Sequence, residues 1–254
     1  MLGQRPLLLE IANCPIVAEL RRNPTRPHPC QKIVHSQGSA IFQLPEPWVG
    51  RIDSAPILFV SSNPSMDEEE QFPSNQESEW PTDRVADFFD GRFTSSAGWV
   101  KNYKVLLKNG KYAKRKVRFW LSARQRVSKM LDKAAEEVRP GIDFAITEVV
   151  HCKSRSEQGV REASCFCRKQ YLERIVEMTI AKIIVVYGSV VREAMERSFP
   201  GETVLTIGER IAGPHTLFGI SRMMAFLPHP AAWCGGKSFE EPELLAIRNH
   251  LTSK

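Results

Sequence analysis

No apolar run in the 254 residues approaches the roughly 20 that a helix needs to cross a bilayer, which argues against a membrane-spanning helix. The opening residues, Met1-Leu-Gly-Gln-Arg-Pro-Leu-Leu-Leu-Glu-Ile, have too short an apolar stretch and an early acid for a secretory signal, so a cytoplasmic location is expected. There is no internal repeat, which excludes a solenoid, and no Gly- or Ser-rich linker, which argues for one domain. Cys14 and Cys30 form no compact Cys-x-x-Cys pair, and a cytoplasmic location argues against disulfides. The most pointed absence is of one charge sign. From Lys101 to Met130 there is no Asp or Glu, while Lys114, Arg115, Lys116 and eight further cations crowd the segment among Tyr103, Tyr112, Phe119 and Trp120. Ordinary exposed helices mix both signs, and phosphate contacts need fixed positive charge, so an anionic polymer is the expected partner.

The chain as a whole carries +6, with 42% hydrophobic and 25% charged residues, the balance of a globular domain. Residues 66–80, opening Met66-Asp-Glu-Glu-Glu-Gln71, are acidic and aperiodic, and 66–86 reads as a surface insertion. Four short runs rich in branched apolar residues, 56–61, 143–150, 182–187 and 222–227, read as strands buried on both faces. Helical patterns over 118–137, 168–181, 189–195 onward and 239–253 alternate with them. The alternation predicts a three-layer α/β/α domain around a mainly parallel four-stranded sheet, with 1–50 an irregular N-terminal wrap.

Two of these strands run into turns that carry a polar side chain, Asn63 in Ser61-Ser-Asn-Pro-Ser65 and His229 in His229-Pro-Ala-Ala232. Ligands of open parallel sheets bind where such strand-end turns gather, so an amide and an imidazole there point to hydrolysis. An Asn-Pro or His-Pro turn taken singly is also a plain loop former. Of the six cysteines, Cys14 and Cys30 lie in the wrap, Cys152 follows a strand and Cys167 opens a helix. Four thiolates on separate segments suit an iron–sulfur cluster or a structural zinc, and buried free thiols are the other reading.

Beyond these readings, the chain resembles the uracil-DNA glycosylase superfamily, closest to its bacterial and archaeal iron–sulfur branch. Ser61-Ser-Asn-Pro-Ser65 is similar to the Gly-x-Asn-Pro-Gly water-binding motif. Gly91-Arg-Phe-Thr-Ser-Ser-Ala-Gly98 is similar to a motif whose aromatic stacks on the flipped base. Thr147-Glu-Val-Val-His-Cys152 and Cys167-Arg-Lys-Gln-Tyr-Leu172 resemble the branch's two cysteine motifs, Ala181-Lys-Ile-Ile-Val-Val-Tyr-Gly188 the next strand, and His229-Pro-Ala-Ala232 the catalytic loop. The resemblance implies excision of uracil or a related deaminated base from DNA by a monomer located with the nucleoid. It assigns water binding to Asn63, leaving-group stabilisation to His229, and base contacts to Ser61, Ser62, Phe93 and Glu148. DNA contacts fall to Lys114, Arg115, Lys116 and Trp233. A structural 4Fe–4S cluster falls to Cys14, Cys30, Cys152 and Cys167, with zinc as the alternative metal and Cys165 as the competing ligand.

The chain departs from this pattern at Glu148, where the family has a base-reading asparagine. An ionised carboxylate only accepts hydrogen bonds, so Glu148 is protonated by burial, or prefers a base with donors on that edge, or helps activate water. Phe88 and Phe89 rival Phe93 as the stacking ring, and Trp233 is either a minor-groove wedge or a core residue. The looser Cys14–Cys30 spacing still permits a cluster, because loop closure costs grow slowly with length. A DNA-binding protein of the same fold without turnover is the alternative function. A relative that traps the abasic product through a histidine ranks behind it, with His151 its one candidate.

Overall fold

The computed structural model describes residues 4–38, 41–93, 97–208, 210–230 and 238–253. Its first elements are helices α1 (Gln4–Ala12), α2 (Pro15–Arg22) and α3 (Gln31–Ser36), so about half of the N-terminal wrap expected to be irregular is helical. Pro15 starts α2, where a missing N–H costs nothing, and Leu7, Leu8, Ile11, Val17 and Leu20 turn inward. Strands β1 (Trp48–Val49) and β2 (Ile57–Ser61) follow, then α4 (Thr82–Gly91) and a small hairpin of β3 (Val100–Lys101) and β4 (Lys104–Val105). Its two-residue turn, Asn102-Tyr103, has both residues in the left-handed region, as the right-handed twist of a tight hairpin favours. Helix α5 (Arg118–Leu131) leads to β5 (Ala145–Glu148), α6 (Val160–Cys167), α7 (Glu173–Met178), β6 (Ile183–Tyr187) and α8 (Gly188–Ser198). Strands β7 (Leu205–Ile207), β8 (Ile211–Leu217) and β9 (Ile220–Leu227) and helix α9 (Glu241–Thr252) complete the order.

The expected parallel strands are present as a block, in the order β5-β2-β6-β9, every neighbouring pair parallel. The sheet is wider than the expected four strands. Among the described residues it has seven, with β1 added antiparallel to β5 at one edge and β8 and β7 antiparallel beyond β9 at the other. β1 is too short to show a period, and β8 contains Gly213-Pro214, a pair that reads as a turn. The pair is tolerated because the β8–β9 register shifts between Ala212 and His215, a bulge that leaves the proline outside the ladder.

Alternate residues of the parallel strands feed two cores. Leu58, Val60, Ile184, Val186, Met224 and Phe226 face α1–α4 and α6–α8, whereas Ile57, Phe59, Ile183, Val185, Met223 and Ala225 face α5 and α9. The 66–86 segment is tied in rather than lying on the surface throughout: Glu70, Phe72, Trp80 and Val85 are buried. No helix among the described residues is long and apolar enough to cross a membrane.

Candidate active site

Strand β2 comes first of the parallel four in sequence yet lies between β5 and β6, so the chain reverses its direction of sheet growth there. In open α/β sheets such a switch point opens a crevice at the carboxyl ends of the strands. Two loops at this point stay paired after their strands end. Val149 and Val150 N–H groups donate to the Ser61 and Ser62 carbonyls at 2.9 and 3.0 Å, and Ser154 N–H donates to the Pro64 carbonyl at 3.3 Å. This zipper holds the 61–65 turn against 149–154.

Asn63 sits on that turn, half-buried. Its amide nitrogen donates to Ser154 Oγ at 2.9 Å and to the Pro64 carbonyl at 3.0 Å. With both amide hydrogens committed, Oδ1 is the atom left to accept from a ligand or water. Ser62 Oγ donates to Glu157 Oε1 at 3.2 Å. Glu157 is an exposed acid held in the left-handed region at φ 57°, and its charge also acts on His229. It thereby touches the Asn63 turn through Ser62 and acts on His229 through its charge. The sequence offered no motif for it: the 153–164 loop carries several charged residues, and nothing local distinguishes this one.

His229 follows β9, which pairs with β6 and stands two strands from β2, about 10 Å at ordinary strand spacing. Its ring stacks on Phe119 (centroids 6.0 Å apart) and meets the edge of Tyr187 at 6.4 Å. Burial lowers its pKa, opposed by the Glu157 charge, which favours a neutral imidazole. Phe119 lies in the first turn of α5, so the start of that helix borders the site. Lys114, Arg115 and Lys116, the three residues singled out for DNA, immediately precede it and are all exposed. Arg126, counted among the cations of the basic stretch, is instead buried over the Tyr187 ring at 5.4 Å.

Phe93 packs edge-on against Trp120 at 5.0 Å and near Phe144 at 6.3 Å, beside the start of β5. The ring in contact with His229 is therefore Phe119, not Phe93. The rivals Phe88 and Phe89 are core residues, packed against Phe72. Trp233 lies outside the described residues.

Glu148 ends β5 opposite Ser61 in register, and Ser61 Oγ donates to its Oε1 at 3.3 Å. It lies in a buried charge network assembled from distant segments. Arg92 pairs with Glu46 at 3.1 Å and Glu70 at 2.5 Å, and Lys153 with Glu70 at 3.1 Å and Glu46 at 3.8 Å. Burial works against the Glu70 charge, but Arg92 and Lys153 outweigh it and hold its pKa down. Burial and then the Glu46 charge push Glu148 well above the usual carboxylate range, only partly offset by Ser61, Arg92 and Lys153. His151 donates from Nδ1 to the Glu46 carbonyl at 2.8 Å, and burial pushes its pKa down to about 4, so it is a neutral, enclosed ring.

Cys14, Cys30, Cys152 and Cys167 are all buried, and Cys165 is exposed. Cys167 hydrogen-bonds Cys30, and that bond, burial and the neighbouring Cys30, Cys152 and Cys14 push its thiol well up. Burial, then Cys14 and Cys30, does the same to Cys152, and Tyr171 Oη donates to Cys14 Sγ at 3.5 Å. The four segments thus converge behind the sheet, with Cys167 at the junction of α6 and a wide π turn, Arg168–Leu172. Among the described residues no group of three or more His, Cys, Asp or Glu is set to grip a single ion. Comparison with protein-family models gives no match, and comparison with curated proteins gives none either.

Proposed function

We propose that this chain is a monofunctional DNA glycosylase that hydrolyses the N-glycosidic bond of uracil or a related deaminated base and leaves an abasic site. The observation that carries the reading is the placement of Asn63 at the sheet's switch point, with His229 across β6 and a basic loop beside it. A base within a duplex is out of reach of any side chain, so it must be extruded into the crevice. Exposed Lys114, Arg115 and Lys116 supply phosphate contacts, with Trp233 the proposed wedge and Phe93 the proposed stacking face. Neutral His229 donates a hydrogen bond to the base carbonyl oxygen that gains charge as the bond to C1′ breaks. The electron pair of that bond leaves with the base. A water accepted by Asn63 Oδ1 adds to C1′, and its proton passes to solvent or to the departing base. An amide orients water without taking its proton, so leaving-group stabilisation carries most of the rate.

Four buried thiols from four segments are the donor set of a structural 4Fe–4S cluster, with Cys14, Cys30, Cys152 and Cys167 as ligands. One zinc ion needs sulfurs about 3.8 Å apart, given Zn–S bonds of about 2.3 Å, whereas a cluster spans more widely placed sulfurs. When bound, the group would cross-link the N-terminal helices to the segments after β5.

Oligonucleotides carrying uracil, hypoxanthine, xanthine or 5-substituted uracils, single- and double-stranded, test the function: strand breaks after alkali are expected at one or more of these bases. If no base yields an abasic site while the DNA is still bound, the non-catalytic binding reading replaces it. The native protein is expected to be brown, absorbing near roughly 400 nm, with colour kept in Cys165→Ser and lost in Cys152→Ser. A colourless protein with one zinc per chain would replace the cluster.

A further inference from the structure

We infer that Glu148 is a neutral carboxylic acid that reads a lactam edge, an N–H beside a C=O, on the extruded base. The assignment of a base to this site rests on the glycosylase reading above; the protonation stands on the buried network itself. That network contains Arg92, from the end of α4, and Lys153, from the loop after β5. It also contains two carboxyl groups that pair with them, Glu46 before β1 and Glu70 in the 66–86 segment, and a third, Glu148 on β5, that makes no ion pair with either cation yet is buried within reach of the charges of Glu46, Arg92 and Lys153. Each cation pairs with both Glu46 and Glu70. Two positive charges are thus matched by two negative ones, and a third anion in the same buried space would have no counter-charge. A proton on Glu148 leaves the network balanced, and the direction of its pKa agrees.

The position of that proton follows from its partners. Ser61 Oγ donates to Oε1, which is therefore the acceptor end. Oε2 is buried and has no hydrogen-bond partner among the described residues, although a protonated acid must place a donor there. The residue is only 5% exposed, so bulk water does not satisfy that donor, and an extruded base would be its partner. A neutral acid sets one acceptor beside one donor, the same pair that a carboxamide offers. An N–H next to a carbonyl complements it with two parallel hydrogen bonds. Uracil and hypoxanthine both have this edge. An ionised carboxylate would instead repel the base carbonyl.

Two independent measurements test this. Infrared difference spectra of wild type minus Glu148→Gln at neutral pH are expected to contain the carbonyl stretch of a protonated acid; a carboxylate band in its place overturns the inference. On uracil DNA, Glu148→Ala is expected to lose about tenfold or more in kcat/KM, with Glu148→Gln recovering most of that loss. Wild type should lose activity on the alkaline side as the acid ionises, and Glu148→Gln should lack that limb. Equal rates for wild type and Glu148→Ala, or an alkaline limb retained in Glu148→Gln, would sink the recognition role while leaving excision intact. If wild type excises no base, the base-reading role falls with the glycosylase reading, and the infrared result still decides the protonation.

Discussion

His229 gains its chemical character from what surrounds it. Burial lowers its pKa from 6.5, so the folded chain binds fewer protons there than the unfolded chain does as the pH falls below that value. Two consequences share one sign: both the neutral donor and the stability it carries are retained above about pH 6.5 and decline as the pH falls through the folded pKa. Glu157 is the anion that keeps this shift from being larger. Glu157→Gln is therefore expected to lower the His229 pKa further, by under about one unit given its exposure, and the proposed excision would then have its acid limb at lower pH. Titrating the His229 ring signal by NMR checks it; an unmoved pKa would place Glu157 away from the imidazole. The placement of Asn63 and His229 on strand-end turns was legible in the sequence because each follows an apolar run that could only be a buried strand. Glu157 was not, since an exposed acid in a charged loop has no local signature and acquires a role only when the loop folds back over Ser62. Phe119 was hidden for a similar reason: it was counted as one aromatic among many cations, and its contact with His229 spans more than a hundred residues.

The elements behind the site are held by close approaches that leave no room for a side chain. Gly159 immediately precedes α6 at φ +75°, and a Cβ there would lie 2.3 Å from the Ile33 nitrogen and 2.8 Å from the Ile33 Cα. Those are backbone atoms of α3, which cannot rotate aside. Gly201 has a similar φ of +94° but nothing within 4 Å of its would-be Cβ. The pair separates conformation from contact. Gly201→Ala is expected to cost about 1 kcal/mol and Gly159→Ala about 2–4 kcal/mol, both read from urea denaturation; equal costs would show that α3 yields. Since α3 follows Cys30 and α6 ends at Cys167, the proposed cluster would make the Gly159→Ala substitution lower the iron or zinc content of the purified protein. At this scale the parallel block was legible, because continuous branched apolar runs have few other uses. The three antiparallel strands were not: β1 and β7 are short edges paired on one side only, and in β8 Gly213-Pro214 carries a local turn signal that the bulge overrides. The prolines and cysteines of 1–50 likewise masked three short helices whose inward faces are plain only once their partner, the sheet, is known.

Over the whole molecule, charge is sorted by depth as well as by position. Arg92 and Lys153 are buried against Glu46 and Glu70, and Arg126 is withdrawn over Tyr187, whereas Lys114, Arg115 and Lys116 remain exposed at the start of α5. The start of a helix adds a partial positive charge of its own, so the basic loop and the helix end act in the same direction beside His229. A strand bound along this border would exchange its counterions for these side chains. Each phosphate neutralised steepens the dependence of log K on log salt by about 0.7 for single strands and about 0.9 for duplex. Replacing all three residues with alanine is therefore expected to make the slope shallower by about 2 on single-stranded DNA. Binding at low salt should weaken for every sequence alike, because phosphates carry no sequence information. Thermal stability should barely change, since none of the three is buried. Fluorescence titrations from low to moderate salt measure the slope directly. An unchanged slope, with folding intact, would mean that the anionic strand runs elsewhere on the surface, and the basic stretch would lose its claim to be the path that leads a base to Asn63 and His229.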